Sequence, residues 1–191
     1  MTTYAISDLH LRHANIIEYC DRPFDSVEEM NEELYERWNS TVIPDDVVYF
    51  LGDLAMTGDS DEFRELGERL NGKILMTAGN HDEAVPDTPP FPVVESFVTQ
   101  HGKYRCHCTH RPSDVPEEWS HWALTGHHHN NDVRSNPFID TKQNVLNLSV
   151  ELIEYTPIAL DDLFGLVDAV SRSSKQVAAT VADARAIADR N

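Results

Sequence analysis

The sequence predicts an α/β protein, and two observations carry that reading. Between residues 3 and 82, short apolar strand-like runs alternate with stretches of helical periodicity, and each run ends in a polar cluster. From Val93 onward the alternation gives way to a succession of strands, which two sheets packed face to face would use.

The elements follow in order. Thr3 to Ser7 is a short buried strand that runs into Asp8-Leu9-His10. Ser26-Val27-Glu28-Glu29 is a capping box opening a helix to about Asn39, with Met30, Leu34 and Trp38 on one face, and Pro44-Asp45-Asp46 ends the segment. Val47 to Leu51 is a second strand, ending in Gly52-Asp53. Asp59 and Glu62 open a second helix with Phe63, Leu66 and Leu70 inward, and Asn71-Gly72 stops it. Lys73 to Thr77 is a third strand, delivering Ala78-Gly79-Asn80-His81-Asp82. After a proline-rich loop, Pro86 to Pro92, strands are expected at Val93–Thr99, Lys103–Thr109, Trp122–Thr125 and Val145–Val150. Thr156-Pro157 is expected to start a helix with Leu160, Leu163, Phe164 and Val167 inward. Ser173 to Asn191, with Val177, Val181, Ala184 and Ala188 at helical spacing, reads as a weak terminal helix.

Composition narrows the class. The chain has 191 residues, enough for one buried core, and no linker divides it. No apolar run is long enough to span a bilayer, and Met1-Thr2-Thr3-Tyr4 lacks the pattern of a signal peptide, so a cytoplasmic protein without a membrane partner is expected. Three cysteines, Cys20, Cys106 and Cys108, are too few for a disulfide framework, and Cys106-His107-Cys108 has no second cysteine pair to complete a zinc ribbon. With 33 acidic against 15 basic residues the net charge is −18, which disfavours adhesion to nucleic acid and points to a halophilic source whose salt screens self-repulsion. Folding stability should accordingly rise from dilute to molar KCl; a flat or falling thermal midpoint over that range would remove the halophile inference.

Five polar clusters carry the functional reading: Asp8-x-His10, Gly52-Asp53, Gly79-Asn80-His81-Asp82, His110, and Gly126-His127-His128-His129. A lone histidine is more often a satisfied core or surface residue than a ligand, but these clusters follow strand-like runs. Ligands in open α/β sheets bind at that end. Imidazole and carboxylate donors suit borderline and hard divalent ions, and a carboxylate can span two cations.

In order and content these clusters resemble the calcineurin-like metallophosphoesterases, whose pattern is Asp-x-His, Gly-Asp, Gly-Asn-His-Asp/Glu, His and Gly-His-x-His. The resemblance covers Asp8 to His129 and implies a four-layer αββα sandwich of two mixed sheets flanked by helices. It implies a domain over residues 1–171, with 172–191 as a helical extension. Asp8, His10 and His129 would hold one metal, Asn80, His110 and His127 a second, and Asp53 would bridge them. The cofactor implied is a pair of divalent ions, with Mn²⁺ favoured and Fe, Zn, Co or Ni acceptable to the same donors. The ions would activate a water for attack on phosphorus, and His81 would be the general acid that protonates the leaving oxygen. Arg22 and Arg111, near the site loops, are candidates to grip phosphate oxygens.

One departure narrows the branch. Serine/threonine protein phosphatases extend the second motif to Gly-Asp-x-x-Asp-Arg-Gly, where this chain has Met56-Thr57-Gly58. The chain looks closer to small prokaryotic and phage phosphoesterases, with Asn15-Ile16-Ile17 to Arg22-Pro23-Phe24 adding to that likeness. The expected partner is a small phosphorylated substrate, a phosphomonoester or phosphodiester, with nucleotides and cyclic nucleotides included. A nuclease and a catalytically silent scaffold of the same fold are the alternatives; the missing basic stripe counts against the first and the complete ligand set against the second.

Overall fold

The structure is a computed structural model that describes residues 1–190. In chain order the elements are β1 (Thr3–Ile6), α1 (Asn15–Tyr19), α2 (Val27–Thr41), β2 (Val47–Phe50), α3 (Ser60–Glu68), β3 (Lys73–Thr77), β4 (Val93–Val94), β5 (Ser96–His101), β6 (Tyr104–Thr109) and β7 (Trp122–Thr125). There follow β8 (Ile139–Asp140), β9 (Val145–Asn147), β10 (Ile158–Ala159), α4 (Leu160–Arg172), β11 (Val177–Ala178) and α5 (Val181–Ala188). Two mixed sheets result, with strand orders β10-β1-β2-β3-β4 and β11-β8-β9-β7-β6-β5. No helix among the described residues is long and apolar enough to cross a membrane.

In the first sheet β1, β2, β3 and β4 run parallel, so the C-terminal ends of β1 to β3 share one edge, and the first three polar clusters follow directly from those ends. In the second sheet β6, β7 and β9 are parallel, and His110 and Gly126 follow β6 and β7 at once. The sheets pack through side chains such as Tyr49 of β2, whose ring meets Phe97 of β5 at 5.1 Å and whose hydroxyl lies 2.9 Å from Thr99 Oγ1. Helix α2 lays Trp38 perpendicular to Phe50 of β2 at 5.9 Å, and both rings are fully buried. At the other end Phe164 of α4 stacks on Tyr104 of β6 at 4.1 Å.

The sequence-based elements hold with five corrections. The strand expected over Val145–Val150 stops at Asn147, and Val150 opens a short 3-10 turn. Val93–Thr99 is not one strand: Val93-Val94 pairs with β3 in the first sheet, and from Ser96 the chain pairs with β6 in the second. Strand propensity registers a continuous run and carries no mark of the sheet change at Glu95. The helix expected from Thr156-Pro157 begins at Leu160, because Ile158-Ala159 first pairs antiparallel with β1; its predicted inward residues are all buried. Val177 lies in β11, an edge strand on β8, and the terminal helix starts only at Val181 under a capping box of Thr180 and Asp183. At α2 the box is incomplete: Ser26 Oγ accepts the Glu29 N–H, but the Glu29 carboxylate accepts the N–H of Asp25, not that of Ser26.

Candidate metal centre

The loops beyond the strand ends continue the parallel pairing for several residues. Asp8 N–H donates to Gly52 O (3.0 Å), His10 N–H to Asp53 O (3.0 Å) and Leu11 N–H to Leu54 O (2.9 Å). On the other flank Ser7 N–H donates to Leu148 O (2.9 Å), which ties the edge of the first sheet to the second. Asp8, His10, Asp53, His127 and His129 all have left-handed backbone, with φ of 64°, 52°, 59°, 74° and 49°. Each such non-glycine residue costs on the order of 1 kcal/mol or more and persists only where its surroundings over-determine it; clusters of them mark functional sites. The glycines beside them are required by close approach. A Cβ on Gly79 would collide with the Asp53 carboxylate, and one on Gly126 with Ser7 Oγ and the Asp8 carboxylate.

Asp53 stands at the middle. Its Oδ2 is 3.3 Å from His10 Nε2 and 3.3 Å from His110 Nε2, while Oδ1 accepts the His81 N–H at 2.9 Å. Asp82 fixes the loop beneath it by accepting three backbone N–H groups, from Asp53 (2.8 Å), Leu54 (2.9 Å) and Gly79 (2.8 Å), so its role is to position the motif. His110 Nδ1 faces Leu51 O at 2.7 Å; since a carbonyl only accepts, Nδ1 carries the proton and Nε2 faces Asp53 and Asn80 Oδ1, the latter at 3.1 Å. Asp8 is fully buried and accepts from His127 N–H (3.0 Å) and Ser149 Oγ (2.9 Å).

The donor atoms of Asp8, His10 and His129 lie within 4.8 Å of one another, as do those of Asp8, Asp53 and His110 and those of His10, Asp53 and His81. His127 stands further out, its ring 5.1 Å from that of His110. His13 Nδ1 is 3.3 Å from His10 Nδ1, which leaves His10 Nε2 directed at the carboxylates. That Nε2 is buried and has no hydrogen-bond partner. Orphaned buried nitrogens are rare, and one set among two carboxylates and three further imidazoles is what a cation ligand looks like, so the residues fit divalent metal.

Electrostatics agree. Burial works to raise the Asp53 carboxyl, yet the imidazoles of His10 and His110 hold it well below the ordinary carboxylate range. Burial likewise opposes charging of His110 and His129, but Asp53 and Asp8 push His110 up to about 9, and Asp8, Cys20 and Glu151 push His129 up to about 11. Both therefore hold protons near neutrality that an incoming cation must displace. Divalent-metal affinity is expected to rise steadily from about pH 6 to 9, with proton release visible by calorimetry in buffers of different ionisation enthalpy. A pH-independent affinity would mean that metal displaces no proton from these imidazoles.

The other sequence candidates fall out differently. Arg111 is exposed and lines a shallow recess with Ala78, Gly79, Asn80, His110 and Asp114, at the mouth of the cluster. Arg22 is a correction: its side chain is fully buried, and its five N–H groups are taken by Asp8 O, Leu9 O, Met30 Sδ and two contacts to Glu151, leaving none for phosphate. His128 lines a pocket with Pro112, Asn136 and Pro137. Cys106 and Cys108 are free, buried thiols within β6, and burial raises both. Sequence reasoning missed Asn147, Ser149 and Glu151, which back the site and belong to no motif. A larger groove lined by Tyr4, Ile158, Leu166 and Arg185 shares no residue with the cluster.

A buried carboxylate–imidazole cluster able to hold metal thus lies at the strand ends of two mixed sheets flanked by helices. Residues 1–156 match the family described as calcineurin-like phosphoesterase, and the chain belongs to that family. It is 42% identical over 168 residues to an uncharacterized protein of Methanocaldococcus jannaschii, covering 86% of this chain and 90% of the relative. It is 34% identical over 86 residues to the gene 66 protein of Mycobacterium phage L5, across 44% of this chain and 41% of that protein. In fold it resembles a protein of unknown function from Aquifex aeolicus, with a TM-score of 0.63 at 20% identity over 87% of this chain and 99% of the other.

Proposed function

We propose that the protein hydrolyses a phosphomonoester or phosphodiester, with Asp8, His10 and His129 holding one divalent ion, Asn80, His110 and His127 a second, and Asp53 shared. The observation that carries this reading is Asp53 Oδ2 at 3.3 Å from each of His10 Nε2 and His110 Nε2, with His10 Nε2 buried and unpartnered. When bound, the ions lower the pKa of water and neutralise phosphate oxygens. The chain's own residues do the rest. Asn80 contributes a neutral oxygen, which keeps the centre positive inside an acidic protein. Arg111 stands at the rim as the guanidinium for a non-bridging oxygen. As water adds to phosphorus and the phosphorus–oxygen bond to the leaving group breaks, His81 gives its ring proton to the departing oxygen. Its backbone N–H on Asp53 anchors it beside the cluster, its ring 5.0 Å from that of His10.

The test is hydrolysis of aryl phosphomonoesters, aryl phosphodiesters and cyclic nucleotides by protein reconstituted in turn with Mn²⁺, Fe²⁺, Zn²⁺, Co²⁺ and Ni²⁺. Metal-dependent turnover on one class is expected. No turnover on any substrate with any ion would leave a silent scaffold as the better reading.

A further inference from the structure

Outside every motif lies a second tier of polar residues on one short stretch of chain. Asn147, Ser149 and Glu151 alternate along the segment leaving β9, and each touches the site's backing. Asn147 Nδ2 donates to His129 O (3.2 Å), Ser149 Oγ accepts the His129 N–H (3.2 Å), and Glu151 meets His129 Nδ1 through Oε1 (3.1 Å) and Oε2 (3.2 Å). Glu151 also takes Arg22 Nε at 2.9 Å and a second Arg22 nitrogen at 2.7 Å, with both side chains almost wholly buried.

A buried ion pair is weak evidence for stability, because desolvating both charges offsets most of their attraction. This one does something a hydrophobic pair could not. A carboxylate gripped twice by a guanidinium is an acceptor only, so a proton must sit on His129 Nδ1 whether the ring is neutral or charged. His129 Nε2 is left for Asp8, whose Oδ1 is 3.6 Å away. The same guanidinium binds the Asp8 and Leu9 carbonyls at 2.8 Å each, so one cation braces the Asp8 loop directly and His129 through Glu151.

We infer that Glu151, locked by Arg22, is a positioning residue that fixes the ring of His129 and the nitrogen it offers to metal. The inference rests on the reading of His129 as a metal ligand. Cys20 groups with His129 and Glu151, but this trio is no cation site of its own, since Arg22 already neutralises the carboxylate. Outer partners of ligating histidines of this kind are typically worth 10- to 100-fold in metal affinity.

The test uses Glu151→Gln, which keeps the shape and loses the charge, and a Glu151→Leu/Arg22→Met double variant, which removes both charges so that neither is stranded. Low-field proton NMR of the metal-free protein should show a His129 Nδ1–H signal, assigned by its loss in His129→Asn. It should weaken in Glu151→Gln, whose amide can accept or donate, and vanish in the double variant. Manganese affinity by calorimetry should fall about tenfold in the first and up to about 100-fold in the second. If either readout is unchanged in Glu151→Gln, the inference is overturned, even should the double variant fail to fold. A wild-type protein that shows the Nδ1–H signal but takes up no divalent ion supports the fixing of the ring by Glu151 and sinks the hydrolase reading instead.

Discussion

Asp53→Asn is expected to cost the protein both metal ions, taking the content from close to two per chain to below one. The substitution is nearly isosteric, and the amide oxygen can still accept the His81 N–H that now meets Oδ1 at 2.9 Å. What it removes is the charge at Oδ2, which faces His10 and His110 equally, and it turns an amide N–H₂ group toward one or both imidazoles. Outer partners of metal ligands cost 10- to 100-fold in affinity when lost, so a shared ligand should cost roughly 10²-fold or more at each ion. Elemental analysis after dialysis decides the matter. A single tight ion that survives the substitution would overturn the paired-metal arrangement.

His81→Ala should separate substrates by how badly their leaving oxygen needs a proton. With nitrophenolate, a stable anion, the chemical step should slow little; with an alkoxide it should slow roughly 10²- to 10⁴-fold. His127→Ala should damage both alike, because it disturbs what both reactions share. Single-turnover rates for both substrates and both variants provide the comparison, with metal content measured alongside. That last measurement matters because the His81 ring nitrogen groups with His10 and Asp53 within 4.8 Å. Metal loss in His81→Ala would make the residue a ligand, and an equal slowing of both substrates would make it a substrate-positioning group.

The five clusters were legible because each lies where a parallel strand ends, so local sequence and global topology give one answer. The backing of the site was not. Glu151 sits in a single turn after β9, outside every motif, and its meaning comes from Arg22, 129 residues away. Arg22 was misread for the converse reason: proximity to a site loop says nothing about which way a guanidinium points, and this one is consumed by five contacts. The two-residue strands β4, β8, β10 and β11 are too short to show alternation, and only pairing defines them.

The left-handed backbone at Asp8, His10, Asp53, His127 and His129 sets stability and chemistry against each other. At each of these positions glycine would relieve on the order of 1 kcal/mol of backbone strain. It would also delete a donor the cluster needs and, at Asp8 and Asp53, strand the buried groups those carboxylates now accept from, so the strain is held in place by the same contacts that build the centre. A library meant to harden this fold should therefore hold those five codons constant and seek its gains in the exposed faces of α2 and α3, where sequence is free to change without touching the strand ends.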